Sequence, residues 1–455
     1  MYAPGRRDIA ALLQLATPIV AIQVGMMLMG VVDTIMVGQL SAEALAAVAI
    51  ANIYYFGITV FGIGALLALD PIVAQALGAG DFPAVQRGLQ RGLVLSLFLS
   101  VPIMALLLAV EPVLRLAQQP AEIVPIAAAY VYRVIPSVWP FYAFVVLRQT
   151  LQAHRRTAPI VWTIVIANLV NVVLNYAWIF GELGLPALGV AGSAWATTVS
   201  RWLMAALLLA LGWHVLSPYL ARRMPDLFAL RPLARMLRIG VPIGGQMLLE
   251  VGVFGTVALF MGALGVVQVA AHQVAINIAS LTFMVPLGVS SAAAVLVGHA
   301  VGRGDHTAMR RATGAALLVG CGFMTLTAVL LTGAPGPLAA IYTQDEAVLA
   351  LAVVLLPLAG IFQVFDGLQV VALGLLRGLG DTYVPMIVNV IGFWVIGMPV
   401  SLWLGFGLDL GAVGLWWGLV AGLVMVAAIL LVRLALRTRR ALERVVIDEM
   451  ANATD

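Results

Sequence analysis

Val73-Ala-Gln-Ala-Leu-Gly-Ala-Gly-Asp81 returns 224 residues later as Val297-Gly-His-Ala-Val-Gly-Arg-Gly-Asp305. Each copy ends the second apolar span of its half. Further pairs keep nearly the same spacing: Pro18-Ile19 with Pro242-Ile243, Met36-Val37-Gly38 with Phe260-Met261-Gly262, and Ile50-Ala51-Asn52 with Ala275-Ile276-Asn277. Late in each half, Gly189-Val-Ala-Gly192 parallels Gly411-Ala-Val-Gly414. The chain is therefore a duplication, and the fold must be one that two similar halves can build together.

Composition fixes the solvent. Of 455 residues, 63% are hydrophobic and 10% charged, whereas a soluble domain carries about 25% charged residues. Mean hydropathy is +1.08. Apolar runs between charged or Pro/Gly breaks predict twelve spans, near 10–38, 46–74, 88–110, 123–150, 158–180, 188–215, 235–262, 268–300, 311–332, 347–376, 383–405 and 411–435. Barrel strands are short and alternate in polarity, so the expected class is an all-α integral membrane protein. Six spans per half return the chain to its starting side, which makes the halves parallel repeats related by an axis along the membrane normal. The expected division is an N-terminal lobe over 1–216, an inter-lobe linker over 217–234, a C-terminal lobe over 235–436 and a tail over 437–455. Two such bundles facing a central cleft suit alternating access.

Charge placement sets orientation. All 24 basic residues are arginine. They crowd the loops on the N-terminal side (Arg6, Arg7, Arg87, Arg91, Arg148, Arg155, Arg156, Arg222, Arg223), while the opposite loops hold mostly Glu43, Glu111, Glu122, Glu182, Asp345 and Glu346. The positive-inside rule then places both termini in the cytoplasm of a multi-pass membrane protein. The pI of about 9.5 reports this topology and does not call for nucleic acid as a partner. Cys321 is alone, which excludes an intramolecular disulfide and fits a buried apolar role in span nine. Asn452-Ala453-Thr454 fits a glycosylation pattern, but on a cytoplasmic tail it has no use.

Three carboxylates, Asp33, Glu250 and Asp366, stand inside apolar spans. Each costs about 3 kcal/mol at the bilayer centre. Groups so costly are retained where they bind an ion or a cationic substrate. Asp33 lies in the outer half of span one, at a depth shared with Asn171 and Asn175 on one face of span five and with Thr197 on span six. Such oxygen-rich groups bind a small hard cation or hold a protonated carboxyl; hydrogen bonding between helices is the alternative role. In the second half Gln246 and Glu250 share a face, Asp366 has Gln363 and Gln369 three residues to either side, and Gln273 and Asn277 form another polar face. Two acids on two helices could share a proton or a sodium ion. Met26 and Met29 crowd span one beside Asp33 and suit adaptable apolar contacts as well as plain packing. Asp70, next to Pro71, reads as a bend or ion pair, and Arg201 falls near mid-membrane, either snorkelling or paired with a buried acid. His154, His214, His299 and His306 read as solvated. The acids break the repeat: Asp33 matches Val257, Glu250 matches Met26, and Asp366 matches about Phe141.

Val32-Asp33-Thr34-Ile35-Met36-Val37-Gly38, the Pro71 to Gly80 corner, Asn171 to Gly181 and Gly189 to Thr197, with Glu250 and Asp366, resemble the multidrug and toxic compound extrusion (MATE) family in its NorM-type bacterial branch. The resemblance spans nearly the whole chain. It implies a V-shaped pair of six-helix lobes, export of small cationic, often aromatic compounds in exchange for Na⁺ or H⁺, and no further cofactor. It assigns Asp33, Asn171, Asn175 and Thr197 to an N-lobe cation or proton site. Glu250 and Asp366 become a C-lobe cation site where Na⁺ could bind. The residue pattern itself adds Gln246, Gln273, Asn277 and Gln363 in the second half, and Met26 and Met29 beside Asp33, as candidate accessory groups. The working unit is expected to be a monomer. Two departures stand out: Phe362 replaces a Tyr found in many members, and Arg201 is not a family feature. A lipid-linked oligosaccharide flippase of related architecture is the alternative, but its pyrophosphate would call for several cleft arginines. No Asp-rich Mg²⁺ motif, His-Glu-x-x-His helix, Gly-x-Ser-x-Gly turn or Gly-rich Lys loop occurs, so neither an enzyme nor ATP coupling is expected.

Overall fold

In a computed structural model, which describes residues 4–448, twelve helices are long and apolar enough to cross a membrane. They are α1 (Arg6–Gly38), α2 (Ala42–Gly78), α3 (Phe82–Leu107), α4 (Ile123–Ala153), α5 (Ala158–Phe180), α6 (Val190–Leu211), α7 (Leu230–Leu264), α8 (Val266–Gly302), α9 (His306–Gly333), α10 (Glu346–Gly378), α11 (Tyr383–Gly407) and α12 (Gly411–Arg437). The twelve expected spans are all present. Several start earlier than hydropathy suggests; α3 at Phe82 and α9 at His306 do so because a polar cap rather than an apolar residue begins them.

The repeated corner explains those caps. Gly80 and Gly304 take φ of +72° and +68°, a left-handed conformation that a β-carbon disfavours. The following amides close the preceding helix in the same way, Asp81 N–H to Ala76 O and Asp305 N–H to Ala300 O, both 2.9 Å. Each Asp side chain then accepts from the third amide of the next helix, Ala84 at 3.0 Å and Ala308 at 2.9 Å. One motif thus ends a span and starts another, twice.

The spans are not uniform. α2 is interrupted at Leu67 and Ala68, and its second segment begins at Leu69 with Asp70 and Pro71 in the first turn, where an acid suits the helix dipole. Asp70 is buried and accepts from Gln149 Nε2 at 2.6 Å, so it marks a bend within the bundle. α4 tightens over Ile135–Ser137 at Pro136, and α11 widens into π-helical turns over Val390–Gly397 and Trp403–Gly407.

Packing divides the chain into two units: an N unit of Ala21–Gly244 with the chain from Val446, and a C unit of residues up to Val20 with Gly245–Val445. This division falls elsewhere than the expected 1–216 and 235–436 lobes. Both boundaries lie two residues beyond the repeated prolines Pro18 and Pro242, inside α1 and α7. A proline removes one intrahelical hydrogen bond and eases a bend there. The early part of α1 (Leu12, Leu15, Ile19) belongs to the C unit's core with Val253, Val257, Leu355 and Trp416. The early part of α7 packs in the N unit, where a β-carbon on Gly240 would collide with the carbonyl of Ala65. Gly240→Val is therefore expected to destabilise by about 1–3 kcal/mol, read as a lower melting temperature of the detergent-solubilised protein; an unchanged melting temperature would refute this close packing.

Several polar residues lie elsewhere than expected. Arg91, counted among loop arginines, is fully buried, with Asp448 at 2.5 Å and Asp226 at 2.7 Å. The linker is pinned to α3 through Gln90, which donates to Tyr219 O and Arg222 O and accepts from Met224 N–H. The chain end is held too, since Arg235 Nη1 donates to Ile447 O at 2.8 Å. Arg148 is buried within α4 rather than in a loop. His154 is not simply solvated: its ring nitrogens meet Thr150 O at 2.9 Å and the Tyr219 hydroxyl at 3.1 Å, and burial, aided by Arg156, lowers its pKa from the usual histidine value. Cys321 is partly exposed on α9, beside Thr325, not buried. Asn452 lies outside the described residues.

Candidate functional site

In the N unit α1, α5 and α6 bring three of the four expected groups directly onto one carboxylate-centred network. Asp33, 3% exposed, accepts from Asn175 Nδ2 at 2.6 Å through Oδ1 and from Thr197 Oγ1 at 2.8 Å through Oδ2. The fourth, Asn171, joins through its Oδ1, which accepts from Asn175 Nδ2 at 3.1 Å. The four-residue spacing of Asn171 and Asn175 on α5 makes that stacking a helical necessity. Two buried amide atoms, Asn175 Oδ1 and Asn171 Nδ2, have no hydrogen-bond partner. An unpartnered carboxamide oxygen beside a carboxylate is the donor set a hard cation or a carboxyl proton uses. Tyr130, which the sequence reading missed, is buried close to Asp33 and Thr197. Only its place on the buried face of α4 could have pointed to it.

Arg201 stands one turn beyond Thr197 on α6. Among the described residues it forms no ion pair: its Nη1 donates to the Tyr55 hydroxyl and, at 3.0 Å, to Ser137 Oγ. Its guanidinium lies over the rings of Tyr55 (4.8 Å) and Phe141 (5.0 Å), a cation–π arrangement. Ser137 reaches it because α4 tightens at Pro136. Met29 is buried in packing, and Met26 Sδ lies 3.6 Å from Arg148 Nη1.

In the C unit α7 and α10 place Glu250 and Asp366 within electrostatic reach of each other. Glu250 Oε1 accepts from Gln369 Nε2 at 3.3 Å, and Gln246 stands beside the same carboxylate one turn earlier on α7. Trp394, on the widened part of α11, donates its indole N–H to Leu249 O at 3.1 Å and so fixes the backbone beside Glu250. Phe362 packs edge-on against Phe254 and Trp416. Gln369 Oε1 and Gln363 Oε1 are buried without partners. Not every expected accessory group converges here. Gln363 Nε2 bonds Ala279 O and Thr282 instead of an acid, and Gln273 and Asn277 bond each other at 3.4 Å. Among the described residues no three His, Cys, Asp or Glu side chains cluster as transition-metal ligands would.

Twelve apolar helices in two repeated units, with carboxylates buried inside spans, define a polytopic membrane protein of the secondary-transporter type. The MatE family model matches the chain twice, over residues 18–177 and 242–403, with starts 224 residues apart. The chain belongs to the MatE family, the multidrug and toxic compound extrusion transporters. A probable multidrug resistance protein NorM of Mesorhizobium japonicum is 38% identical over 445 residues, 95% of each chain. A eukaryotic MATE transporter, AtDTX14, superposes with a TM-score of 0.88 at 23% identity, covering 95% of this chain and 98% of that one. The Vibrio cholerae MATE transporter VcmN in its bent form gives a TM-score of 0.84 at 20% identity, covering 95% and 97%.

Proposed function

We propose that this protein is a secondary antiporter that exports small cationic, often aromatic organic compounds in exchange for entering Na⁺ or H⁺. The observation that carries the reading is Asp33, a carboxylate inside a membrane span whose two oxygens are held by neutral donors alone, in a chain of this family. A charge buried at such cost is useful where a second cation can take its place. Asp33, Asn171, Asn175 and Thr197 form the N-lobe ion or proton site, and Glu250 and Asp366, with Gln246 and Gln369 beside them, the C-lobe cation site.

The cycle needs only competition. A cationic compound from the cytoplasm is favoured while the acids are ionised. Arrival of Na⁺ or H⁺ from outside neutralises them, weakens the hold on the compound and favours release. The equilibrium shifts by no more than the difference in ion affinity between the two states. The chain acts as a monomer in the bacterial inner membrane with both termini cytoplasmic, the orientation its arginine distribution favours. A flippase for lipid-linked oligosaccharides is not favoured, since the paired acids of the C unit would repel a pyrophosphate.

Proteoliposomes loaded with a cationic dye and given separate Na⁺ and H⁺ gradients test this. Efflux is expected under at least one inward gradient and not without one. Dye retention under both would overturn the antiporter reading.

A further inference from the structure

The corner that joins α4 to α5 in the N unit recurs 225 residues later between α10 and α11 of the C unit. Arg155 and Gly380 both take a left-handed backbone, with φ of +57° and +77°. The next amides close the preceding helix alike, Arg156 N–H to Leu151 O and Asp381 N–H to Leu376 O, both 2.9 Å. Thr157 and Thr382 follow. The two corners share a backbone, yet one carries a pair of arginines and the other an aspartate.

In the C unit the chain closes this corner itself. The buried Asp381 accepts from Arg433 Nε at 2.8 Å, and Arg437 Nε stands 3.3 Å from the same oxygen, both arginines being on α12. α12 matches α6 at the spacing of Gly411 from Gly189, which sets Arg433 against Leu211. In the N unit, therefore, Arg156 stands in place of the aspartate and a leucine in place of its arginine. The ion pair cannot form, and a cavity of about 410 Å³ lies there instead, within the range of about 300–1,000 Å³ of small-molecule sites. Arg155, Arg156, Thr157 and His214 supply its polar lining, Trp162 and Leu211 its apolar lining, and no lining residue is acidic. Trp162, Leu211 and the neighbouring Trp213 are exposed at the arginine-rich end of α5 and α6, and tryptophans at span ends mark the level of lipid head groups. Paired guanidinium groups grip phosphate oxygens through forked hydrogen bonds.

We propose that this cavity binds the phosphate headgroup of one anionic phospholipid, with the phosphate on Arg155 and Arg156 and the acyl chains along Trp162 and Leu211. The anion takes the part that Asp381 plays in the C unit. A plain patch of surface charge attracts anionic lipid without holding a single molecule, whereas here basic groups from the corner and from beyond α6 line one cavity. A bound headgroup ties the start of α5 to the end of α6, the two helices that bring Asn175 and Thr197 to Asp33. The inference needs only the membrane class of the chain and stands apart from the antiporter reading.

The test titrates the full-length protein in neutral detergent with phosphatidylglycerol, with zwitterionic phosphatidylcholine and with inorganic phosphate. Bound lipids are counted by native mass spectrometry and radiolabelled phosphate by equilibrium dialysis. Wild type is expected to hold one phosphatidylglycerol about ten-fold more tightly than phosphatidylcholine. Arg156→Gln should weaken phosphatidylglycerol binding about five-fold and leave phosphatidylcholine unchanged. Arg155→Gly, which removes the second charge and suits the left-handed backbone, should do the same, and the two losses should multiply in the double variant. Arg439→Gln, an exposed arginine of the C unit outside the cavity, should change nothing. An equal loss in Arg439→Gln would reduce the effect to general surface charge and overturn the proposal, as would equal binding of the two lipids by wild type. Inorganic phosphate bound as tightly as phosphatidylglycerol would assign the cavity to a free anion and overturn the lipid assignment. Should Arg156→Gln not fold, Arg155→Gly decides alone.

Discussion

Asp33→Asn is expected to reduce gradient-driven dye export to background, a fall on the order of 100-fold, while the protein still accumulates in the membrane. The substitution keeps the size of the side chain and removes only its capacity to lose a proton or hold a cation. The surrounding network tolerates the change. Thr197 Oγ1, which donates to Asp33 Oδ2 at 2.8 Å, can rotate to accept from the new amide, and Asn175 can turn its carboxamide, whose Oδ1 is unpartnered. Stability should therefore move by no more than about 1 kcal/mol, measured as thermal melting in detergent. Efflux assayed under Na⁺ and H⁺ gradients in proteoliposomes checks the functional half. A variant that exports dye normally would remove Asp33 from the coupling site.

Glu250→Gln is expected to be equally severe, for a different reason. Glu250 and Asp366 lie within electrostatic reach, and in the proposed site a shared cation or proton would offset their mutual repulsion. Removing either charge leaves a single carboxylate with too little attraction to hold the ion. Because the acids act as one unit, Asp366→Asn should match Glu250→Gln, and the double variant should be no worse than either single one. Gln246 and Gln369 can still bond a glutamine at position 250, which protects the fold. If each single variant keeps export and only the double loses it, the acids are redundant sites rather than a pair.

Both experiments concern residues that the chain declares openly. Asp33, Glu250 and Asp366 are conspicuous because nothing nearby in sequence justifies a charge in a lipid-soluble span. Asn171 and Asn175 follow from helical spacing, and Thr197 from comparable depth. Tyr130 and Trp394 were not visible, since aromatic residues are ordinary in apolar spans and only their partners reveal a role. Gln273 and Asn277, four residues apart, bond each other on their own helix. Arg148 and Arg91 were misplaced because counting arginines by loop ignores how deeply a long side chain can be covered by neighbours.

By itself the sequence determined the membrane class, the twelve spans, the duplication and the three acids set inside spans. These depend on composition and on local periodicity, which act over a few turns of chain. Even the corner at Gly80-Asp81 and Gly304-Asp305 is local chemistry, a left-handed glycine followed by a capping acid. Tertiary structure alone decided that α1 and α7 each contribute to both units, that Arg201 is caged by Tyr55, Ser137 and Phe141, and that Asp226 and Asp448 converge on Arg91. Those outcomes join residues tens to hundreds of positions apart. Their energies come from desolvation and close packing, which depend on which neighbours the finished bundle supplies and leave no periodic mark in the chain.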